Sequence, residues 1–349
     1  MPENPERFPS ARDIEKVARN PECQTLRTAL AANIDVRKYA VEIGLEEDRQ
    51  SPIALARGNQ VERFVLGDSA ARLVERLNED AKVAPGAWVE DLGRRPPNRA
   101  GLQSAAEATD DFLSDLLESK SVPDILIHPV LSIQLGGDTQ YIEPDALILY
   151  EGSSMYEAAE LKSYPYRLGK TDPEDLRQAR RQGAVYVLAQ RRRIEALEGR
   201  SAQVPSQVTL IFTRPGSLFP APIYHESVEG EMRDAEHAVS LLAEAKAELS
   251  SLLPPDGDAK ALLPTLDIHY GERCLSFCSL AKRCREACSA AGQVAVLGEQ
   301  SSRILAAAEN VERAIELLQG AAPRDDGEAA LAGRLRALAS TVGEFKVAT

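Results

Sequence analysis

The strongest constraint on the fold of this chain is a change of apolar period at residue 125. Upstream, apolar residues recur at roughly helical spacing. Over 125–162 they alternate or run in short blocks between turn residues: ILIHPVLSIQL, then Gly136-Gly137-Asp138, TQYIEPDALILY, then Gly152-Ser153-Ser154, then MYEAAELKSY. A side-chain period of two is what a pleated strand imposes, so three adjacent strands in a meander are expected. A helix over 174–193 follows, with Leu176, Ala179, Gly183, Val187 and Leu188 on one stripe, and then a buried strand, VTLIFT, over 208–213. The expected core is β-β-β-α-β, an α/β arrangement.

Around that core the chain reads as helical. Residues 1–50 are polar and mixed, with a helix expected over 25–45 and an isolated Cys23. From residue 51, Val61, Phe64, Val65, Ala71, Leu73, Val74 and Leu77 mark a helix interrupted by Gly67, with Glu62 and Arg63 near its start. A proline-rich basic loop spans 93–99 and a helix 110–119; an acidic helix is expected over 226–250. Residues 294–349 read as a self-packing helical hairpin broken at 320–327. The expected segments are thus 1–50, 51–225, 226–292 and 293–349, and 349 residues allow about two domains.

Charge narrows the function. With 54 acidic and 41 basic side chains the formal net charge is −13, which argues against a general nucleic-acid coat. One window runs against it: 161–193 holds nine basic residues and three acids. No stretch approaches the ~18 consecutive apolar residues of a membrane span. The opening MPENPERFPS lacks the order of a signal peptide, so the chain is expected to be cytoplasmic.

Chemistry concentrates in the extended block. From residue 143 to 160 there are five acids (Glu143, Asp145, Glu151, Glu157 and Glu160) and no base. Asp145 follows Pro144 at the mouth of one strand, and the period of two puts Glu160 and Lys162 on one face of the next, with Leu161 on the other. Carboxylate oxygens suit Mg²⁺ or Mn²⁺, a hard cation that neutralises charge developing on phosphorus and acidifies an attacking water. Lysine beside such a cation can orient the nucleophile. Glu-x-Lys recurs at Glu244 to Lys246 and Glu344 to Lys346, and Pro-Asp at Pro123-Asp124 and Pro255-Asp256, where solvated faces and turns explain them. Only Pro144-Asp145 and Glu160 to Lys162 sit on neighbouring expected strands. On the following helix Gln178, Gln182 and Tyr186, four apart, share a face bordered by Arg177 and Arg181.

Pro144-Asp145, Glu160-Leu161-Lys162 and Gln182-Gly183-Ala184-Val185-Tyr186, in this order, resemble the PD-(D/E)xK and QxxxY motifs of RecB-like nucleases, including those of CRISPR adaptation modules and the AddB nuclease domain. Gly58-Asn59-Gln60-Val61-Glu62 matches the family's upstream helix, with Glu62 in its acidic position. The resemblance spans roughly residues 57–288. It implies a restriction-endonuclease-like core, a mixed sheet flanked by helices, hydrolysing phosphodiesters at DNA ends or in single strands. Asp145, Glu160 and the Leu161 backbone carbonyl would hold Mg²⁺ or Mn²⁺ with Glu62 assisting. Lys162 would position the water, and Gln182, Tyr186, Arg177 and Arg181 would orient the DNA.

Four of the five cysteines, Cys274, Cys278, Cys284 and Cys288, fall within fifteen residues, too few for a disulfide scaffold and in a reducing compartment more suggestive of metal. Many RecB-like nucleases hold a [4Fe-4S] cluster on one upstream cysteine and three late ones spaced C-x2-C-x5-C. Here the first gap is one residue longer and one cysteine is extra. The quartet is either Cys23 with Cys274, Cys278 and Cys284, or the four late cysteines; a tetrathiolate Zn²⁺ site is the rival occupant. Of the histidines, His128, His225, His237 and His269, only His128 is placed to approach the expected site. The enzyme reading competes with a non-catalytic DNA- or protein-binding subunit, carrying a structural zinc site, of a helicase or defence complex docked through the C-terminal helices.

Overall fold

In a computed structural model, which describes residues 9–46, 52–80, 82–84, 86–93, 98–167, 170–198, 204–253 and 257–346, the extended block breaks into five strands instead of three. β1 (Val89–Asp91) precedes the block. β2 (Ile125–Ile127), β3 (Leu131–Leu135), β4 (Asp138–Ile142), β5 (Ala146–Ile148) and β6 (Glu157–Pro165) compose it, and β7 (Gln207–Thr213) and β8 (Tyr224–Ser227) follow. The break falls at His128-Pro129. His128 takes a left-handed φ of 53°, and Pro129 has no N–H to offer a ladder. The chain leaves the sheet there, forms a separate antiparallel ribbon β3–β4 around Gly136-Gly137, and re-enters before β5.

The main sheet has the order β1-β2-β5-β6-β7-β8, parallel at β1–β2 and β6–β7 and antiparallel elsewhere. Helices α1 (Ala11–Arg19), α2 (Gln24–Ala31), α3 (Val36–Glu42), α4 (Pro52–Glu79) and α5 (Arg99–Leu117) precede β2. The parallel step from β6 to β7 needs a crossover, which α6 (Pro173–Glu198) supplies. After β8 come α7 (Glu229–Leu252), α8 (Ala259–Leu262), α9 (Ala281–Ala290), α10 (Glu299–Ile304), α11 (Val311–Leu318) and α12 (Asp326–Lys346).

Each face of the sheet is covered by a helix. On one face Ile125, Ile127, Ala146, Ile148, Ala159 and Ile211 pack with Val61, Val65, Leu73 and Leu77 of α4. The helix expected from residue 51 is broken where the sequence interrupts it: Gly67 is extended at ψ 171°, and Asp68, Ser69 and Ala70 are left-handed at φ 50°, 52° and 54°. On the other face α6 lies so close to β7 that a Cβ on Gly183 would sit 2.7 Å from both methyl groups of Val208. Residues 182–190 are all buried, not a single stripe, because α1, α7 and β3 also pack on α6.

The chain divides into two compact units. One holds Met1–Pro21, Leu26–Asp35 and Arg49–Leu263; the other holds Glu22–Thr25, Val36–Asp48 and Pro264–Thr349. This division runs differently from the four segments read along the sequence. α7 goes with the sheet because it packs on α1 and α6, and the Cys23 segment groups with the late cysteines. The helix expected over 25–45 is two helices parted at Asn33, φ 56°. In the second unit α11 and α12 form the expected hairpin around Ala314, Leu317, Leu331 and Ala332. Arg313 forks onto Glu328, Nε to Oε1 at 2.9 Å and Nη2 to Oε2 at 2.6 Å, and tightens the turn. Positions 94–97 of the expected basic loop lie outside the described residues. Among the described residues no helix is long and apolar enough to cross a membrane.

Candidate functional site

The site forms where β5 and β6 pair beneath α6. Ala146 is registered on Ala159, which sets Asp145 beside Glu160 at the strand end. The Leu161 N–H donates to Asp145 Oδ2 at 2.6 Å, the one hydrogen bond that carboxylate receives among the described residues. Leu161 turns its side chain to the α4 face. Glu160 and Lys162 turn to α6, at 4% and 6% exposure. There the two are ion-paired, and a closed circuit of hydrogen bonds runs on from them. Lys162 Nζ donates to Gln182 Oε1 at 2.8 Å, Gln182 Nε2 to the Tyr186 hydroxyl at 2.6 Å, and that hydroxyl to Glu160 Oε2 at 2.6 Å. The donors leave little choice of direction. An ammonium can only donate, so Gln182 must present its oxygen to Lys162 and its NH₂ to Tyr186, whose proton then goes to the carboxylate.

A cavity of about 240 Å³ opens onto this circuit, and Glu62, Asp145, Glu160, Lys162, Gln182 and Tyr186 all line it. Glu62 arrives from the first turns of α4, which explains how a residue more than eighty positions upstream meets the hairpin. Three carboxylates, Glu62, Asp145 and Glu160, outnumber the two cations that line the space, Lys162 and Arg12. Burial first, then Glu160, pushes the Asp145 pKa up to about 8, against the Leu161 N–H and Lys162, which favour the ionised form. Burial also raises Tyr186 well above its ordinary value, keeping the hydroxyl a donor. A hard divalent cation would relieve this excess, and the all-oxygen donor set suits Mg²⁺ or Mn²⁺. Among the described residues, however, no three of the His, Cys, Asp and Glu side chains converge as a closed metal site. In this arrangement the Lys162 ammonium sits where a cation would meet Glu160.

Arg177 and Arg181 stand apart from the circuit. Arg177 binds Glu174, Nη2 to Oε2 at 2.7 Å, while Arg181 Nη1 lies 3.7 Å from Glu174 and 4.0 Å from Glu15; neither is among the described residues lining the cavity. Arg12 of α1 and Asn59 of α4 do line it. Neither was legible as a site residue: Arg12 lies in a polar segment with no motif, and Asn59 had only its place beside Glu62. His128 lies against the site's edge, with Nε2 3.4 Å from Glu62 Oε1 and Nδ1 3.0 Å from Asp91 Oδ1. Hydrogen bonding to Glu62, and then to Asp91, raises its pKa against the opposing effect of burial. Glu157, counted among the acids of the hairpin, belongs elsewhere. It accepts from Thr209 at 2.7 Å and lies 2.8 Å from His225 Nδ1.

In the second unit Cys23, Cys274, Cys284 and Cys288 are buried, Cys278 is partly so, and all five are free thiols. They share one neighbourhood: burial, then Cys278, Cys23, Cys274 and Cys288 in turn, push Cys284 up to about 12. Backbone N–H groups point at two of the sulfurs, Gly271 at Cys274 Sγ (3.4 Å) and Tyr270 at Cys288. The donor set is one that Zn²⁺ or an iron-sulfur cluster accepts.

No family model and no curated protein matches the sequence. One solved structure, described as that of a candidate exonuclease from Eubacterium rectale, aligns over 78% of this chain and 93% of its own, at 15% identity and a TM-score of 0.32. A likeness of that degree carries no weight for function, which must be read from the site's own geometry.

Proposed function

We propose that this chain is a divalent-metal-dependent nuclease of the RecB-like PD-(D/E)xK kind, hydrolysing DNA phosphodiesters at ends or in single strands. The observation that carries the proposal is the single cavity that gathers Glu62, Asp145, Glu160, Lys162, Gln182 and Tyr186 from α4, two strands and α6. Asp145 and Glu160, with the Leu161 carbonyl and assistance from Glu62, would hold Mg²⁺ or Mn²⁺, which supplies a positive charge at the scissile phosphate and acidifies the attacking water. Lys162, whose ammonium donates to Gln182, would direct its charge at the attacking water. Tyr186 donates to Glu160 and fixes the rotamer of that carboxylate. Arg12, which lines the cavity, would meet a backbone phosphate, and Arg177 and Arg181 would do so only by exchanging Glu174 for it.

The cysteine group is proposed to hold a structural [4Fe-4S] cluster, or alternatively Zn²⁺, on Cys274, Cys278 and Cys284 with Cys23 or Cys288. The C-terminal helices are proposed to dock a helicase or defence-system partner. Cleavage of end-labelled single-stranded DNA with and without Mn²⁺ tests the catalytic reading. Wild-type protein should cleave only with metal, and Asp145→Ala and Lys162→Ala should each lose about 10² or more of that rate. Undiminished cleavage by either variant would remove the assignment.

A further inference from the structure

His128 is tied to two candidate ligands at once. Its main-chain N–H donates to the Asp145 carbonyl at 3.1 Å, and its ring Nε2 lies 3.4 Å from Glu62 Oε1. Behind it, Nδ1 meets Asp91 Oδ1 at 3.0 Å, and that same oxygen accepts the Gly93 N–H at 2.9 Å, so the aspartate is itself anchored at the end of β1. The residue holds these contacts from a left-handed backbone, φ 53°, that a side chain with a Cβ adopts only when its surroundings over-determine it. A second cavity, about 540 Å³, runs past Asp91 and His128 and shares Asn59 and Glu62 with the first. Glu62 therefore forms the wall between the two spaces. With both ring nitrogens directed at carboxylates, the imidazole cannot itself be a ligand in this geometry, but it can set where Glu62 points.

We propose that His128, anchored by Asp91, is a positioning residue that holds the Glu62 carboxylate against Asp145 so that both accept one divalent cation. This rests on the metal-dependent reading of the site given above. The chemistry is the familiar one in which partners of a ligating carboxylate fix its orientation, and their loss weakens metal binding about 10- to 100-fold. The alternative is a plain ion pair that locks α4 to the sheet without influencing the cation.

The test measures Mn²⁺ binding to the full chain at equilibrium, from the electron paramagnetic resonance of free Mn²⁺, for wild type, His128→Ala, Glu62→Ala, the double variant and Asp91→Asn. We expect His128→Ala to weaken binding about tenfold or more, and to add nothing once Glu62 is gone. Binding within twofold of wild type, or the same loss with and without Glu62, overturns the proposal. Asp91→Asn leaves the strained backbone and the ring intact and should weaken Mn²⁺ several-fold. That variant decides the matter if His128→Ala does not fold, and unchanged affinity in it overturns the proposal. Wild-type protein that binds Mn²⁺ yet cuts no DNA refutes the nuclease reading while the cycle still reports on His128. Wild-type protein that binds no Mn²⁺ refutes both.

Discussion

At Asp145, burial and the Glu160 carboxylate move the pKa from an ordinary 3.8 to about 8. A folded-state value above the unfolded one means that the folded chain keeps a proton the unfolded chain has lost. Stability from this group is therefore full below about pH 4 and declines as pH rises toward 8, by about 1 kcal/mol per pH unit. Melting of chelator-treated protein at pH 5 and pH 8 should show wild type losing more stability than Asp145→Asn, whose amide stays neutral and can still accept the Leu161 N–H. Equal losses would show that Asp145 is not the group under strain. At this scale the strand period put Glu160 and Lys162 on one face and the helix spacing put Gln182 and Tyr186 on another, and one cavity brings these four together with Asp145. Asp91, Asn59 and Arg12 were not recognisable as site residues. Each is one polar residue with no periodic signature, and only the chain's path brings it to the cavity.

Elements are held in register by one missing side chain. In a helix interior glycine costs about 1 kcal/mol relative to alanine, so Gly183→Ala would ordinarily stabilise α6. Here the added Cβ would meet Val208 at 2.7 Å, so α6 must lift from β7 and carry Gln182 off Lys162 and Tyr186 off Glu160. Urea unfolding should show Gly183→Ala destabilised by about 1–3 kcal/mol, with partial recovery when Val208→Ala makes room. A variant as stable as wild type would show that the packing gives way. The strand count had a comparably local cause. The sequence pattern alone reads 125–135 as one strand, and the left-handed turn at His128 before Pro129 splits it, sending β3 and β4 into their own ribbon.

For the molecule as a whole, the excess of acids extends into the window that looked basic. Arg177 and Arg181 meet Glu174, Arg180 meets Glu231 and Glu226, and Arg193 meets Asp110, so these four arginines of the window are already neutralised by acids. The proposed DNA binding should accordingly be weak and salt-sensitive. The second unit gathers Cys23 with the four late cysteines. Five thiols exceed a quartet by one, and iron content of anaerobically purified Cys23→Ser and Cys288→Ser should fall in one variant and persist in the other. A colourless wild type carrying zinc would leave the site structural but end the iron-sulfur proposal.

Pattern carried the sequence as far as periodic elements reach: the α/β core, the helix after the hairpin, the two-face placement of Glu160 and Leu161, and the grouping of late cysteines. These depend on local geometry, where side-chain direction repeats every two or 3.6 residues. Only the tertiary structure decided that α4 and α6 clamp opposite faces of one sheet, that Glu160, Lys162, Gln182 and Tyr186 close a circuit, that Arg177, Arg180, Arg181 and Arg193 are already partnered, and that His128 stands between Asp145 and Glu62. Such relations join residues far apart in the chain, and they are set by close packing and by the requirement that each buried polar group find a partner, neither of which has a period to read.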